Sequence, residues 1–153
     1  MREEYEHDLP KINTRPTLEE IAAFKEKLIA VGEESACKGQ KFKDYYKYHT
    51  RLQQAHRSLV YFLQVIYDDG TPGPIKIGCS CQIRGRRVTI QTDNPHKVVL
   101  IATLAGYRDV ESAWHQRCAN AHRRGEWYDP TPELVQAIQD ALKGETGGNN
   151  TNP

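Results

Sequence analysis

The sequence has no apolar run near the ~20 residues that cross a bilayer, and its first segment, MREEYEHDLP, is acidic and lacks the apolar stretch of a signal peptide. We therefore expect a cytoplasmic protein without a membrane partner. The four cysteines lack the dense, regular spacing of a secreted disulfide scaffold. The 153 residues, 38% of them hydrophobic, suffice for one domain with a modest core and an appendage, and they leave the oligomeric state open.

Acidic residues are scarce in two segments of the chain. Residues 76–124 contain nine Lys and Arg but three Asp and Glu, and residues 36–57 contain six against one. The terminal segments are acidic, so the formal net charge of +1 conceals a strong segregation. Basic blocks suit a polyanion such as nucleic acid, because neutralising phosphates releases condensed counterions. An ordinary solvated surface is the alternative interpretation.

Two helices are predicted before residue 58. Thr17 and Glu20 form a capping-box pattern ahead of an apolar stripe at helical spacing. Residues 40–58 indicate a second helix, and basic and aromatic residues alternate there: lysines at 38, 41, 43 and 47 with Tyr45, Tyr46 and Tyr48. This pattern suits backbone contacts with nucleic acid and some base stacking. It equally suits a helix that packs on the domain and leaves its lysines in solvent.

The compact part begins near Ser58. Residues 59–67 are almost continuously apolar and predict a buried strand, followed by strands at 75–78 and 97–104. Pro72 and Pro74 are expected to lie in the connection, because proline does not fit a central strand. Helices are predicted at 82–91, from Asp109 to about residue 122, and at 133–142.

Four residue types suited to phosphodiester hydrolysis occur in this part of the chain. The reaction builds negative charge on the phosphate and departing oxygens, and the attacking water must lose a proton. Arg86 offers a fork that matches phosphate geometry, and Glu111 could ligate one Mg²⁺ ion through oxygen. Tyr61 could orient or deprotonate the water, helped by the positive charge of Lys76. The scarcity of acids in residues 76–124 argues against a two-metal site.

Further residues are weaker candidates. His115 follows Glu111 by one helical turn on the same face, so it could contact the metal's water or the phosphate, or could simply pack. Glu126 and Trp127 are expected to close the edge of the core. The basic block supplies candidate nucleic-acid contacts at Arg84, Arg87, Lys97, Arg123 and Arg124.

A zinc site is a separate possibility for the cysteines. Cys79 and Cys81 with His115 and Cys118 could provide four ligands, which would make the chain a small zinc-stabilised interaction protein. Free thiols are the default interpretation.

The ordered set of segments resembles the GIY-YIG endonuclease superfamily. Leu59-Val60-Tyr61 would be the first signature and Lys76-Ile77-Gly78 the second. The resemblance is to a divergent phage and bacterial branch in which the second signature reads KIG. Residues 90–95 (IQTDNP) and 125–127 (GEW) match later segments of that branch, and the likeness covers about residues 59–142.

The resemblance implies an α+β fold with a small three-stranded antiparallel sheet flanked by helices in residues 58–143. Outside the likeness, the helical patterns before residue 58 predict a helical extension at residues 1–57, and the near absence of apolar residues predicts a disordered tail at residues 144–153. The resemblance implies a metal-dependent endonuclease that uses Mg²⁺ or Mn²⁺ to cleave DNA, with Tyr61 as catalytic tyrosine, Arg86 as phosphate arginine and Glu111 as metal ligand. Leu59 replaces the first glycine of the family and Lys76 the second tyrosine. Several relatives are described as DNA-binding, so a non-catalytic DNA-binding module on the same fold is the alternative.

Overall fold

The computed structural model of the protein describes residues 9–34 and 39–147, and the chain divides into two compact units, residues 1–57 and 58–153. Cys37, Lys38 and the last six residues of the predicted tail lie outside the described residues. No helix within the described ranges is long and apolar enough to cross a membrane.

Among its described residues, the first unit contains helices α1 (Leu18–Glu34) and α2 (Gln40–His56). The capping box predicted ahead of α1 is confirmed: the Glu20 amide donates to Thr17 Oγ1 and the Thr17 amide to Glu20 Oε2, each over 3.1 Å. The helices pack through a small apolar cluster of Ile21, Tyr48 and Leu52, with Leu9, Ile12 and Phe24 against it.

The second unit is built on a sheet in which all neighbouring strands are antiparallel. The strands are β1 (Leu59–Ile66), β2 (Pro72–Ser80), β3 (Lys97–Ala105), β4 (His122–Arg124) and β5 (Trp127–Tyr128), in the order β3-β1-β2-β5-β4. The predicted α+β class with helices flanking an antiparallel sheet is confirmed. The predicted count of three strands is wrong, because β4 and β5 are too short to show the alternation that identifies a strand.

The start of β2 also differs from the prediction. Pro72 and Pro74 were expected in the connection, but the strand begins at Pro72, which pairs with Ile66 after a shift of register. On its other side β2 pairs with β5 only at Ile75 and Lys76. The first residues of β2 therefore have an open edge, where a missing N–H disrupts no ladder.

Three helices complete this unit: α3 (Ile83–Thr92), α4 (Arg108–Arg117) and α5 (Pro132–Gly147). Helix α4 ends before the predicted residue 122, because a 3₁₀ turn at Ala119–Ala121 leads into β4. Helix α5 continues beyond the predicted residue 142, so residues 144–147 are helical rather than part of a disordered tail. Its start has the expected form, with Thr131 Oγ1 accepting from the Leu134 amide ahead of Pro132.

Alternation along the strands separates two cores. On one face Val60, Phe62 and Ile77 belong to the larger cluster, which includes Trp114 of α4 and Leu134 of α5. The opposite face carries a smaller cluster of Tyr61, Leu63, Val65 and Val98, with Ile83 and Ile90 of α3 and Trp127 packed against it. The candidate tyrosine thus lies under α3, on the same face as Lys76 and Gly78, since these residues alternate with Ile75 and Ile77.

Candidate active site

Tyr61 and Arg86 meet on the α3 face of the sheet. Tyr61 is 1% exposed, and its hydroxyl accepts a hydrogen bond from Arg86 Nε over 3.5 Å. Burial raises the pKa of the Tyr61 phenol, and the Arg86 charge only partly offsets that rise. The bond to Tyr61 in turn raises the pKa of Arg86. The phenol is therefore neutral at neutral pH and holds an otherwise exposed guanidinium in place.

Gly78 makes room for the phenol. It pairs directly with Tyr61 across β1 and β2, and a Cβ at this position would lie 2.3 Å from the Tyr61 hydroxyl. The hydroxyl end of the Tyr61 ring consequently occupies the space that a side chain at position 78 would need, and only a glycine leaves enough room. Packing of the Tyr61 ring thus explains why the Lys-Ile-Gly segment has a glycine at position 78.

Lys76, two residues earlier on β2, is held by the β4–β5 hairpin. Its Nζ lies 2.7 Å from Glu126 Oε2 and 5.6 Å from the centroid of the Trp127 ring. The Lys76 side chain is 11% exposed and that of Glu126 41% exposed, so the pair lies at the protein surface with the amine inside. Gly125 has φ 57° at the first position of the two-residue hairpin turn, where glycine is favoured, and this turn presents Glu126 to β2.

Beyond Lys76, the edge of β2 is covered by polar groups instead of another strand. The Ile77 amide donates to the Glu126 carbonyl over 3.0 Å, and the Ile77 carbonyl accepts from His115 Nε2, also over 3.0 Å. The His115 ring stacks on Tyr128 at 5.7 Å. This hydrogen bond from His115 Nε2 anchors α4 to the strand edge.

Glu111 lies one turn before His115 on α4, with 3.9 Å between Glu111 Oε1 and His115 Nε2. Its side chain is 19% exposed. Burial raises the pKa of the Glu111 carboxyl, and the negative charge of Glu126 raises it further, against the lowering effects of His115, Arg108 and Lys76. The carboxylate of Glu111 is thus electrostatically coupled to the Lys76–Glu126 pair.

Three groups of contacts lie around one corner of the sheet: Tyr61 with Arg86, Lys76 with Glu126, and Glu111 with His115. The charge of Glu126 acts on both Tyr61 and Glu111, and this electrostatic effect connects the groups. The sequence prediction omitted Glu126 from the site and gave it an edge-closing role. A signal was available, because a lysine on a sheet face beside a tryptophan requires a counter-charge once it is buried. The neighbouring Gly-Glu-Trp segment was the nearest source of one.

The predicted nucleic-acid contacts are more scattered. Arg84 and Arg87 lie three residues apart on α3 and share an exposed face. Lys97 begins β3 opposite Ile66, roughly 17 Å along the strand from the level of Tyr61. Arg123 and Arg124 lie on β4, at the opposite edge of the sheet from β3, and Arg123 Nη1 lies 3.6 Å from Asp129 Oδ1.

The predicted zinc ligands do not come together. Cys118 belongs to the larger core cluster, and burial raises the pKa of its thiol. Burial also raises the pKa of Cys79 to about 11, while Cys81 is exposed. Within residues 9–34 and 39–147, no three or more His, Cys, Asp or Glu side chains form a metal-binding group. A four-ligand site of Cys79, Cys81, His115 and Cys118 is therefore not formed.

Fold and site together define an α+β domain in which a buried phenol contacts an exposed guanidinium and a carboxylate–ammonium cluster lies at one edge of the central strands. Comparisons with family models, curated proteins and solved structures found no match for this chain.

Proposed function

We propose that this protein is a metal-dependent endonuclease of the GIY-YIG type that hydrolyses DNA phosphodiester bonds. The observation that carries the proposal is the convergence of Tyr61, Arg86, Lys76 and Glu111 from two strands and two helices on one sheet corner. Phosphodiester hydrolysis needs a cationic group for the phosphate oxygens and an oxygen ligand for a metal ion, and this corner offers both.

The surroundings of Glu111 fit a magnesium ion. Burial and the negative charge of Glu126 raise the pKa of the half-buried Glu111 carboxyl. A cation bound nearby would stabilise the ionised form of this carboxyl. Mg²⁺ prefers oxygen ligands and is commonly held by one or two carboxylates, with water and substrate phosphate completing its shell. Mg²⁺ or Mn²⁺ bound here would neutralise charge that develops on the departing oxygen.

The remaining roles follow from the contacts. Arg86 is exposed and fixed at its base by Tyr61, so its guanidinium can receive a phosphate without a further loss of side-chain freedom. Tyr61 acts by orienting Arg86 and retains its proton at neutral pH, because burial disfavours the phenolate. Lys76 lies on the same sheet face as Tyr61, its positive charge acts on Glu111, and its position is fixed by Glu126.

The test is cleavage of supercoiled plasmid and of branched and single-stranded DNA with Mg²⁺, Mn²⁺ or EDTA. Tyr61→Phe, Arg86→Ala and Glu111→Ala are compared with the parent protein. Glu133→Ala is a matched control, because Glu133 is also an acid in the first turn of a helix but is exposed on α5. We expect metal-dependent cutting that Arg86→Ala and Glu111→Ala abolish and Glu133→Ala preserves. Full cutting by Glu111→Ala would refute the metal assignment.

A DNA-binding module without catalysis is the second candidate. Two site residues already have partners within the protein, which favours this candidate because they are not free to contact a substrate: Tyr61 is 1% exposed, and the Lys76 amine is paired with Glu126. Salt-sensitive DNA binding without cutting on any substrate or metal would support this candidate over the nuclease.

A further inference from the structure

One face of helix α2 is exposed and basic and carries an aromatic ring. We define the α2 outer face as Lys43, Tyr46, Lys47 and Arg51. Tyr46 is 59% exposed, the largest exposure among the exposed aromatic side chains of the described residues. Among the described residues its ring contact is with Phe42, at 6.4 Å between centroids, and this contact leaves more than half of the Tyr46 side chain exposed.

The neighbouring aromatic residues are accounted for by the core. The Tyr45 ring lies 5.3 Å from that of Phe24, and the Tyr48 ring lies 4.8 Å from it. The Tyr48 hydroxyl also donates to the Pro10 carbonyl over 2.8 Å. Of the three tyrosines that alternate with lysines in this helix, Tyr46 alone is left on the surface.

The charges on this face are regularly spaced. Lys43, Lys47 and Arg51 follow one another at four-residue intervals, which places successive side chains ~6 Å apart along the helix and next to Tyr46. Asp44, the one acidic residue of α2, accepts a hydrogen bond from Gln40 Nε2 over 2.8 Å. No ion pair involves the three cations among the described residues.

The companion helix has the opposite charge. Helix α1 contains Glu19, Glu20, Glu26, Glu33 and Glu34 against Lys25 and Lys27, so an approaching polyanion is attracted to α2 and repelled by α1. A membrane surface is less suitable as partner, because an interfacial helix inserts an apolar face. The apolar side of α2, formed by Tyr48, Leu52 and Ala55, is buried.

We propose that the α2 outer face binds single-stranded DNA, with Tyr46 stacking on an unpaired base and Lys43, Lys47 and Arg51 contacting the backbone phosphates. Stacking on an exposed ring requires a base that is free of its partner, which selects single strands over intact duplex. This inference deepens the proposed function, since it takes the DNA of that proposal as partner, but it requires no cleavage.

The experiment measures binding of the full chain to labelled oligo(dT) of about 20 nucleotides and to an abasic strand of equal length, in EDTA, over a range of salt concentrations. We expect Tyr46→Ala to weaken oligo(dT) binding roughly tenfold and to leave abasic binding unchanged. Tyr46→Phe retains the ring and should bind like the parent. An equal effect on both strands, or none on either, overturns the stacking role.

The phosphate contacts are tested with Lys43→Gln/Lys47→Gln/Arg51→Gln. Its log–log salt slope should fall by about 2, because each phosphate contact on a single strand contributes about 0.7. Lys11→Gln/Lys25→Gln/Lys27→Gln removes three exposed cations from the same unit outside α2 and should keep the parental slope. Equal slopes for the two triple variants, or α2-dependent binding to anionic vesicles without oligonucleotide binding, overturn the proposal.

The outcome is separable from that of the proposed nuclease. If substitutions in the α2 outer face abolish oligonucleotide binding and no DNA is cut, the proposed α2 surface is supported and the nuclease proposal is refuted. If cutting requires Glu111 and oligonucleotide binding is unchanged by substitutions in the α2 outer face, the nuclease proposal is supported and the α2 surface is refuted.

Discussion

At the residue scale, the site depends on how a phenol is accommodated under a helix. Tyr61 lies on β1 with its ring over Gly78 of β2 and its hydroxyl against Arg86 of α3. Three separate segments therefore meet at one side chain. The guanidinium of Arg86 faces solvent, and the hydroxyl of Tyr61, which is itself fixed by packing, sets its orientation. A cation oriented in advance in this way is suited to phosphate recognition.

Gly78→Ala should disturb this arrangement directly. The added Cβ would lie 2.3 Å from the Tyr61 hydroxyl, so ring or strand must move, and we expect a loss of about 1–3 kcal/mol in the free energy of unfolding. Urea denaturation measures it. Gly85→Ala is the control: its Cβ meets nothing within 4 Å on α3, and it should stabilise by about 0.5–1 kcal/mol. If both substitutions prove neutral, the close packing of the ring is incorrect.

The Lys76–Glu126 pair should show energetic coupling. Lys76→Met and Glu126→Gln each leave one member without its partner, whereas the double variant leaves no charge. We expect the double variant to be less destabilised than the sum of the single variants by about 1 kcal/mol, because the amine is nearly buried. A double-mutant cycle in urea, run at low and high salt, gives the coupling. Strict additivity would show that the pair forms without stabilising the hairpin.

Cys79 offers a measurable consequence of burial. Its pKa is raised to about 11, first by burial and then by the Glu111 charge, so its folded value lies above the ordinary 9.0. Because the Cys79 thiol ionises less readily in the folded state, its ionisation opposes folding. The contribution of the protonated thiol to the free energy of unfolding is present below pH 9 and is lost as the pH rises toward 11. We expect iodoacetamide at pH 8 to label the exposed Cys81 while sparing Cys79, as read by peptide mass spectrometry. Equal labelling would contradict the burial of Cys79.

At the scale of elements, prediction succeeded where one segment carried its own signal. The continuous apolar run of β1 and the capping box before α1 are local patterns, and both occur as expected. Strands β4 and β5 have three and two residues and exist because β2 offers them an edge, which no local pattern records. Helix α5 continues through Gly144 to Gly147, although residues 144–147 contain no apolar side chain that would predict a packed helix.

The connection from α3 to β3 is fixed by one side chain. Gln91 Nε2 donates to the His96 carbonyl over 2.8 Å, and its Oε1 accepts from the Val98 amide over 2.7 Å. We expect Gln91→Ala to cost about 1–2 kcal/mol of stability and to accelerate hydrogen exchange at the Val98 amide. Gln136→Ala, which removes one exposed bond to Asp140, should be nearly neutral. Unchanged exchange at Val98 would show that the turn holds without Gln91.

At the scale of the whole molecule, the basic residues are concentrated in particular segments. The formal net charge is +1, yet cations dominate α2, α3 and the strand ends. The candidate site could be anticipated from sequence because Tyr61, Arg86 and Glu111 occur in a recognisable order. Glu126 has no place in that order, and its only sequence signal is its position next to Trp127, since a hairpin brings it beside Lys76 from 50 residues away.

Local charge, rather than net charge, should therefore determine duplex binding. Arg84→Gln/Arg87→Gln removes two cations that share the exposed face of α3 beside Arg86, and each duplex phosphate contact contributes about 0.9 to the log–log salt slope. We expect that slope to fall by about 1.8. Lys25→Gln/Lys27→Gln lowers the net charge equally on the acidic helix α1 and should leave the slope unchanged. Equal falls for the two variants would mean that a diffuse field attracts DNA, and the α3 face would then have no special part in binding.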